Sequence, residues 1–90
     1  MSSFRDNAEH HRYELDASEG DSFADYRDAN GTRQILHVET APQARGQGYA
    51  AKLMDAIVAD ARANGRKLTP FCSYARAYFA RNASAGDVLG

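Results

Sequence analysis

The segment Gln43-Ala44-Arg45-Gly46-Gln47-Gly48-Tyr49-Ala50 carries the most specific chemistry in the chain. Before it runs Arg33-Gln34-Ile35-Leu36-His37-Val38-Glu39-Thr40, rich in branched residues and closed by Ala41-Pro42, as a strand ending in a bend would be. After it, Ala50, Leu53, Met54, Ile57, Val58 and Ala61 recur at helical spacing until Asn64-Gly65 supplies a left-handed stop. A strand, a glycine loop and a helix in this order put the unpaired amides of the helix's first turn, and the positive end of its dipole, at the loop. Gly46 and Gly48 lack a Cβ and let a phosphate approach the backbone, and Arg45 adds a fixed positive charge. The loop is therefore expected to hold a pyrophosphate. An isolated G-x-G would more often be a plain tight connection, and it is the flanking strand and helix that favour the binding reading.

Two further residues have types suited to group transfer. Cys72 falls between the last expected strand and the last expected helix, where the helix dipole favours a thiolate, which makes it the best nucleophile in the chain. The alternative is a small buried hydrophobe, the commonest place of a free cysteine. His37 is read as facing the same way as Ile35 and Glu39, and a parallel neighbour would bring it toward Cys72 as a proton acceptor. His10 and His11 are adjacent on an expected strand and point to opposite faces, so they do not make half a metal site.

The spacing Gln43-x-x-Gly46-x-Gly48 is similar to the acyl-CoA pyrophosphate motif of the GNAT N-acetyltransferase superfamily. The longer series Leu36-His37, Ala41-Pro42, Arg45-Gly46-Gln47-Gly48, Leu53-Met54, Pro70-Phe71-Cys72-Ser73-Tyr74 and Tyr78 resembles the short GNAT-like proteins of the N-acetyltransferase domain-containing type. The likeness spans roughly residues 8 to 82, with Ala41-Pro42 standing where that family often has Val-Pro. It implies acetyl-CoA bound by Gln43, Arg45, Gly46, Gln47, Gly48, Tyr49 and Ala50, and transfer of the acetyl group to an amine acceptor. It also strengthens His37 and Cys72 as catalytic residues and implies Tyr78 as a proton donor to the departing thiolate, although Tyr74 and Tyr78 also suit packing of the helix. Transfer is expected either directly to the amine or through Cys72.

These residues need elements to position them. His11, Tyr13 and Leu15 alternate with polar neighbours, which predicts a first strand over about Ala8 to Asp16. Ser18-Glu19-Gly20-Asp21 reads as a turn, Phe23 to Arg27 as a second strand, and Asn30-Gly31 as a type I′ hairpin into the third. A helix from about Tyr49 to Ala63, a fourth strand over Lys67 to Cys72 and a second helix from about Tyr74 to Arg81 complete a βββαβα order. The expected fold is α+β: a minimal GNAT-like domain over residues 1–90, with a mixed, mostly antiparallel sheet of about four strands and two helices. The crossover helix should lay the third and fourth strands parallel. Residues 1–7 and 83–90 are expected to fray.

Composition sets the bounds. Ninety residues, 43% apolar and 26% charged, suit one modest core. Net charge is −1, which argues against attraction to nucleic acid or membrane; with no apolar stretch for a signal or a span, a cytoplasmic protein is expected. One cysteine excludes an internal disulfide and a two-cysteine metal knuckle, and no metal site is expected. The charge is divided: residues 1–40 hold nine acids against four Lys/Arg, and residues 41–90 three against seven, so the basic half contains the phosphate loop. Gly46-Gln47-Gly48-Tyr49-Ala50-Ala51 also satisfies a dinucleotide fingerprint, but Arg66 and Lys67 stand where its ribose-binding acid belongs. The remaining alternative is a non-catalytic CoA-binding or protein-interaction module.

Overall fold

A computed structural model describes residues 3–90. Five strands form one sheet in the order β1-β2-β3-β4-β5, with β1 Ser3–Asn7, β2 Arg12–Asp16, β3 Ser22–Ala29, β4 Thr32–Thr40 and β5 Leu68–Pro70. The first four pair antiparallel, while β4 pairs with β5 in parallel because helix α1, Tyr49–Ala63, returns the chain along the sheet. Helix α2, Ser73–Arg81, and a 3-10 stretch, Ala83–Val88, follow. This is the mixed, mostly antiparallel α+β fold expected from the sequence, with one strand more.

The extra strand comes from the N-terminal segment, whose polar composition read as fraying. Phe4 stacks on Tyr13 with ring centroids 5.6 Å apart, Arg5 bridges Glu14 and Asp16 at 2.6 Å each, and Asp6 reaches Arg33 at 2.9 Å. Met1 and Ser2, part of the same expectation, lie outside the described residues. The strand anticipated over Ala8 to Asp16 is shortened by a 3-10 turn at Ala8–His10 and by His11, whose φ of 53° reverses the chain. The C-terminal segment is ordered too. Ala85 and Val88 are buried, Leu89 bridges to Leu68, and Arg62 clamps Asp87 at 2.7 Å.

Where local chemistry is strong, the boundaries fall as read. Asn30 and Gly31 take φ of 56° and 79°, the two left-handed residues of a type I′ turn. Helix α1 ends with Gly65 at φ 63° and the Arg66 amide donating to the Ala61 carbonyl at 2.8 Å, which satisfies one of the last helical acceptors.

One apolar cluster joins the sheet to both helices: Tyr13, Leu15, Ala24, Tyr26 and Ile35 meet Leu53, Met54, Ile57, Val58 and Ala61 of α1 and Ala75, Tyr78 and Phe79 of α2. Residues alternating with these on the strands, such as Arg5, Arg12, Glu14, Phe23 and Asp25, turn to the other, more exposed face. Within the core side sits Arg33, only 6% exposed. Its guanidinium binds Asp6 at 2.9 Å, Asp28 at 2.7 Å and the Tyr13 hydroxyl at 3.0 Å, and lies 3.8 Å from the Tyr26 ring centroid. These contacts fix it as a permanent cation and hold the Asp28 carboxyl below its usual pKa. Four elements thus share one charge. Replacing it should leave two carboxylates without their counter-ion, so Arg33→Met is expected to lower unfolding free energy by about 3 kcal/mol in urea titrations; a loss under about 1 kcal/mol would mean that solvent already neutralises both acids.

Candidate functional site

The site forms where β4 and β5 part. The Ile35 carbonyl accepts from the amides of both Phe71 (2.9 Å) and Cys72 (3.2 Å), and beyond it the chain leaves β5 for α2 while β4 runs on to Thr40. At the same point β4 carries a bulge: Tyr26 pairs with Ile35 but Asp25 with His37, leaving Leu36 unopposed. On β3, Tyr26 bonds toward β2, so Asp25 and Phe23 bond toward β4 and meet His37 and Glu39. Val38 between them therefore aims its amide and carbonyl away from β3, into the gap that β5 has vacated.

A cavity of about 460 Å³ occupies that gap, lined by Val38, Glu39, Thr40, Ala44, Arg45, Gly46, Gly48, Tyr49, Ala50, Ala51 and Tyr74. Gly46 and Gly48 both have positive φ, 80° and 83°, and the space a Cβ would fill at either holds no atom within 4 Å. Gly48 occupies the N-cap position of α1 without any side-chain cap, so the first-turn amides open onto the cavity. The helix begins there because Gly48 takes the left-handed turn without a Cβ penalty, and the apolar stripe from Leu53 to Ala61 anchors the rest of it. Arg45 donates from Nε to the Thr40 carbonyl at 3.0 Å, which holds the guanidinium at the cavity edge. The Tyr49 hydroxyl donates to Glu19 from the β2–β3 loop, which lowers the Glu19 pKa and raises that of Tyr49.

Of the residues expected to bind cofactor, Arg45, Gly46, Gly48, Tyr49 and Ala50 line this cavity. Gln43 and Gln47 do not: Gln43 leans toward Gly20, and Gln47 donates to the Gln43 carbonyl at 3.5 Å, so both brace the loop from behind. The expected catalytic residues are dispersed. His37 does not face with Ile35, because the bulge shifts the alternation; its ring lies on the exposed face, 3.4 Å from Glu39 and with its centroid 6.3 Å from that of Phe23. Cys72 lies on the helix side, half-buried against the core, where its sulfur accepts from the Ala75 amide at 3.3 Å as the N-cap of α2. The two residues are thus on opposite faces of the sheet. Tyr78 points away from the cavity, 5% exposed, and donates to Asp55 at 2.5 Å across the α1–α2 contact. Tyr74, one turn earlier, is the tyrosine of α2 at the cavity. Helical spacing alone assigns it to packing, and Val38, Glu39 and Thr40 carry no motif that marks them as cavity residues. The shared face of His37 and Glu39 was legible, but the turn of Val38's backbone into the gap needs the bulge, which periodicity does not announce. Among the described residues no group of three or more His, Cys, Asp and Glu is placed to hold a metal, and no helix is long and apolar enough to cross a membrane.

A family model described as GCN5-related N-acetyl-transferase matches residues 12–88, and the chain belongs to that family. Its fold is also that of a GCN5-like protein from Staphylococcus aureus solved by NMR, with TM-score 0.73 and 24% identity over 98% of this chain and 87% of that one. No curated protein matches the chain.

Burial and the bond to Asp55 push the Tyr78 hydroxyl up to about 12 from 10.0. The folded state therefore favours the neutral phenol: its contribution is complete below pH 10 and is lost as pH climbs toward 12. Tyr13 and Tyr26, also shifted upward by burial, add to the same trend. Unfolding free energy should fall over that alkaline window, and Tyr78→Phe should make the decline shallower; equal slopes for the two proteins would contradict the assignment.

Proposed function

We propose that the protein binds acetyl-CoA in the β4–β5 gap and transfers its acetyl group directly to an amine. The observation that carries this reading is the uncapped start of α1, where open space stands over Gly46 and Gly48 beside Arg45. Backbone amides with no internal partner, at the positive end of a helix, suit a diphosphate, and two glycines without neighbours leave room for it.

When bound, acetyl-CoA would supply an activated acetyl thioester. The chain's own groups divide the remaining work. Amides from Gly46 to Ala50 would grip the diphosphate, with the Arg45 charge beside them, and Val38 to Thr40 would stand along the pantetheine arm. The Val38 amide, turned into the gap by the bulge, suits a hydrogen bond to the acyl oxygen as negative charge develops there. Tyr74, which lines the cavity, suits protonation of the CoA sulfur better than Tyr78, which is turned toward Asp55. His37 and Glu39, on the exposed face, suit acceptance of the amine's proton, directly or through water.

Direct transfer is favoured over a cysteine intermediate because the Cys72 sulfur is engaged as the cap of α2 and His37, the base expected for it, lies on the opposite face. Intact-mass spectra after incubation with acetyl-CoA should show no gain of about 42 daltons that Cys72→Ala removes; a stoichiometric adduct on the thiol would establish the covalent route instead. Calorimetry should detect acetyl-CoA binding, and Gly48→Val, which fills the space over the loop and strains a residue at φ 83°, should weaken it at least tenfold, about 1.4 kcal/mol. No heat at saturating acetyl-CoA would remove the transferase reading and any CoA-binding module with it.

A further inference from the structure

We infer that the acceptor is an amine displayed on a polypeptide beside apolar residues, docked on the exposed sheet face where β4 and β5 separate. The inference rests on the acetyl-CoA reading above. Large apolar side chains are left exposed at three places among the described residues: Leu36, Phe71 and Leu89. Two of the three, Leu36 at 37% and Phe71 at 43%, belong to the segments that part at the gap, and the Ile35 carbonyl that precedes Leu36 is bonded by the Phe71 amide. Leu36 is the unopposed residue of the bulge, so its exposure follows from the feature that opens the cleft. Phe71 follows Pro70 on the same edge, and by alternation with Leu68 in the core and Thr69 outside it leaves the sheet near the outer face, while Cys72 turns inward.

The same face brings Phe23 beside His37 and places Glu39, which also lines the cavity, next to that histidine. The Glu39 side chain is 49% exposed, with a His37 ring nitrogen 3.4 Å from its carboxylate, so a cationic amine has a carboxylate to approach. Neither Leu36 nor Phe71 lines the cavity itself. A free small amine would gain little enclosure on so flat a surface, whereas a polypeptide brings apolar groups of its own to cover Leu36 and Phe71. Transfer there would break the acetyl C–S bond and form an amide C–N bond; the ammonium would lose one proton toward His37 and Glu39 to free its lone pair and a second as the amide forms, while Tyr74 gives the sulfur the proton with which CoA leaves as the thiol and regains one through solvent.

The test compares three probes: a blocked Gly-Leu-Lys-Leu-Gly peptide, a blocked Gly-Gly-Lys-Gly-Gly peptide and propylamine. Binding of each to the CoA-loaded protein is followed by amide NMR shifts, and turnover with acetyl-CoA is measured separately. The leucine-flanked peptide should shift the amides of Leu36, Phe71 and their neighbours and be acetylated with the highest kcat/KM. Leu36→Ser and Phe71→Ser should each raise its KM about tenfold while leaving the dissociation constant for CoA, and so the fold, unchanged. Equal kcat/KM for propylamine, an unmoved peptide KM in both variants, or tight acetyl-CoA binding with no peptide acetylated would each overturn the inference. Failure of acetyl-CoA to bind the wild-type protein would instead strike at the transferase reading on which it stands.

Discussion

The carbonyl of Ile35 accepts two amides from the chain leaving β5, and it is the last hydrogen bond between the two parallel strands. Everything past it on β4 has backbone groups on that side without a strand to meet them. A sheet interior does not tolerate such a gap unless water or a ligand enters it. Here the gap is bordered by a cavity, by the bulge at Leu36 that turns the Val38 backbone inward, and by the uncapped amides of α1 on the far side. The parting of two strands is thus what makes a cleft in a small sheet.

The strength to hold the strands apart comes from both ends. At one end, Arg33 ties β1, β2 and β3 to β4 through Asp6, Tyr13 and Asp28, and the Arg33 amide donates to the Lys67 carbonyl, where the parallel pairing begins. At the other, α1 lays Leu53, Met54, Ile57 and Val58 on the sheet, and α2 caps itself with Cys72 and anchors Tyr78 to Asp55. Buried partners of this kind fix geometry more than they add stability, since the charges had to be taken from water first. The helices crowd one face; the other keeps its ladder of ion pairs and, beside the cleft, a few apolar side chains.

Several elements were legible in the residues because their causes are local. Helix α1 follows from apolar spacing with a glycine at each end, and the β3–β4 hairpin from Asn30-Gly31, whose left-handed backbone almost dictates the turn. The glycine loop was equally readable, since glycines between a strand and a helix act through their own backbone. The two chain ends were not. Their order depends on partners far along the chain: Phe4 on Tyr13, Asp6 on Arg33, Val88 in the cluster beneath α1 and α2, and Leu89 on Leu68. A polar segment with one or two anchoring residues looks the same as a frayed one until those partners are in place.

The arrangement of the candidate site divides along the same line. Residue types and spacing were enough to read a crossover unit with a glycine loop at the start of its helix, because helical periodicity and glycine conformation are properties of short stretches. Which side chains share the cleft was decided in three dimensions. One unopposed residue on β4 shifts His37 to the exposed face and Val38 toward the gap, and one turn of α2 exchanges Tyr78 for Tyr74. A bulge leaves no trace in hydrophobic alternation over so short a strand, and it depends on β3 and β5 holding β4 from either side.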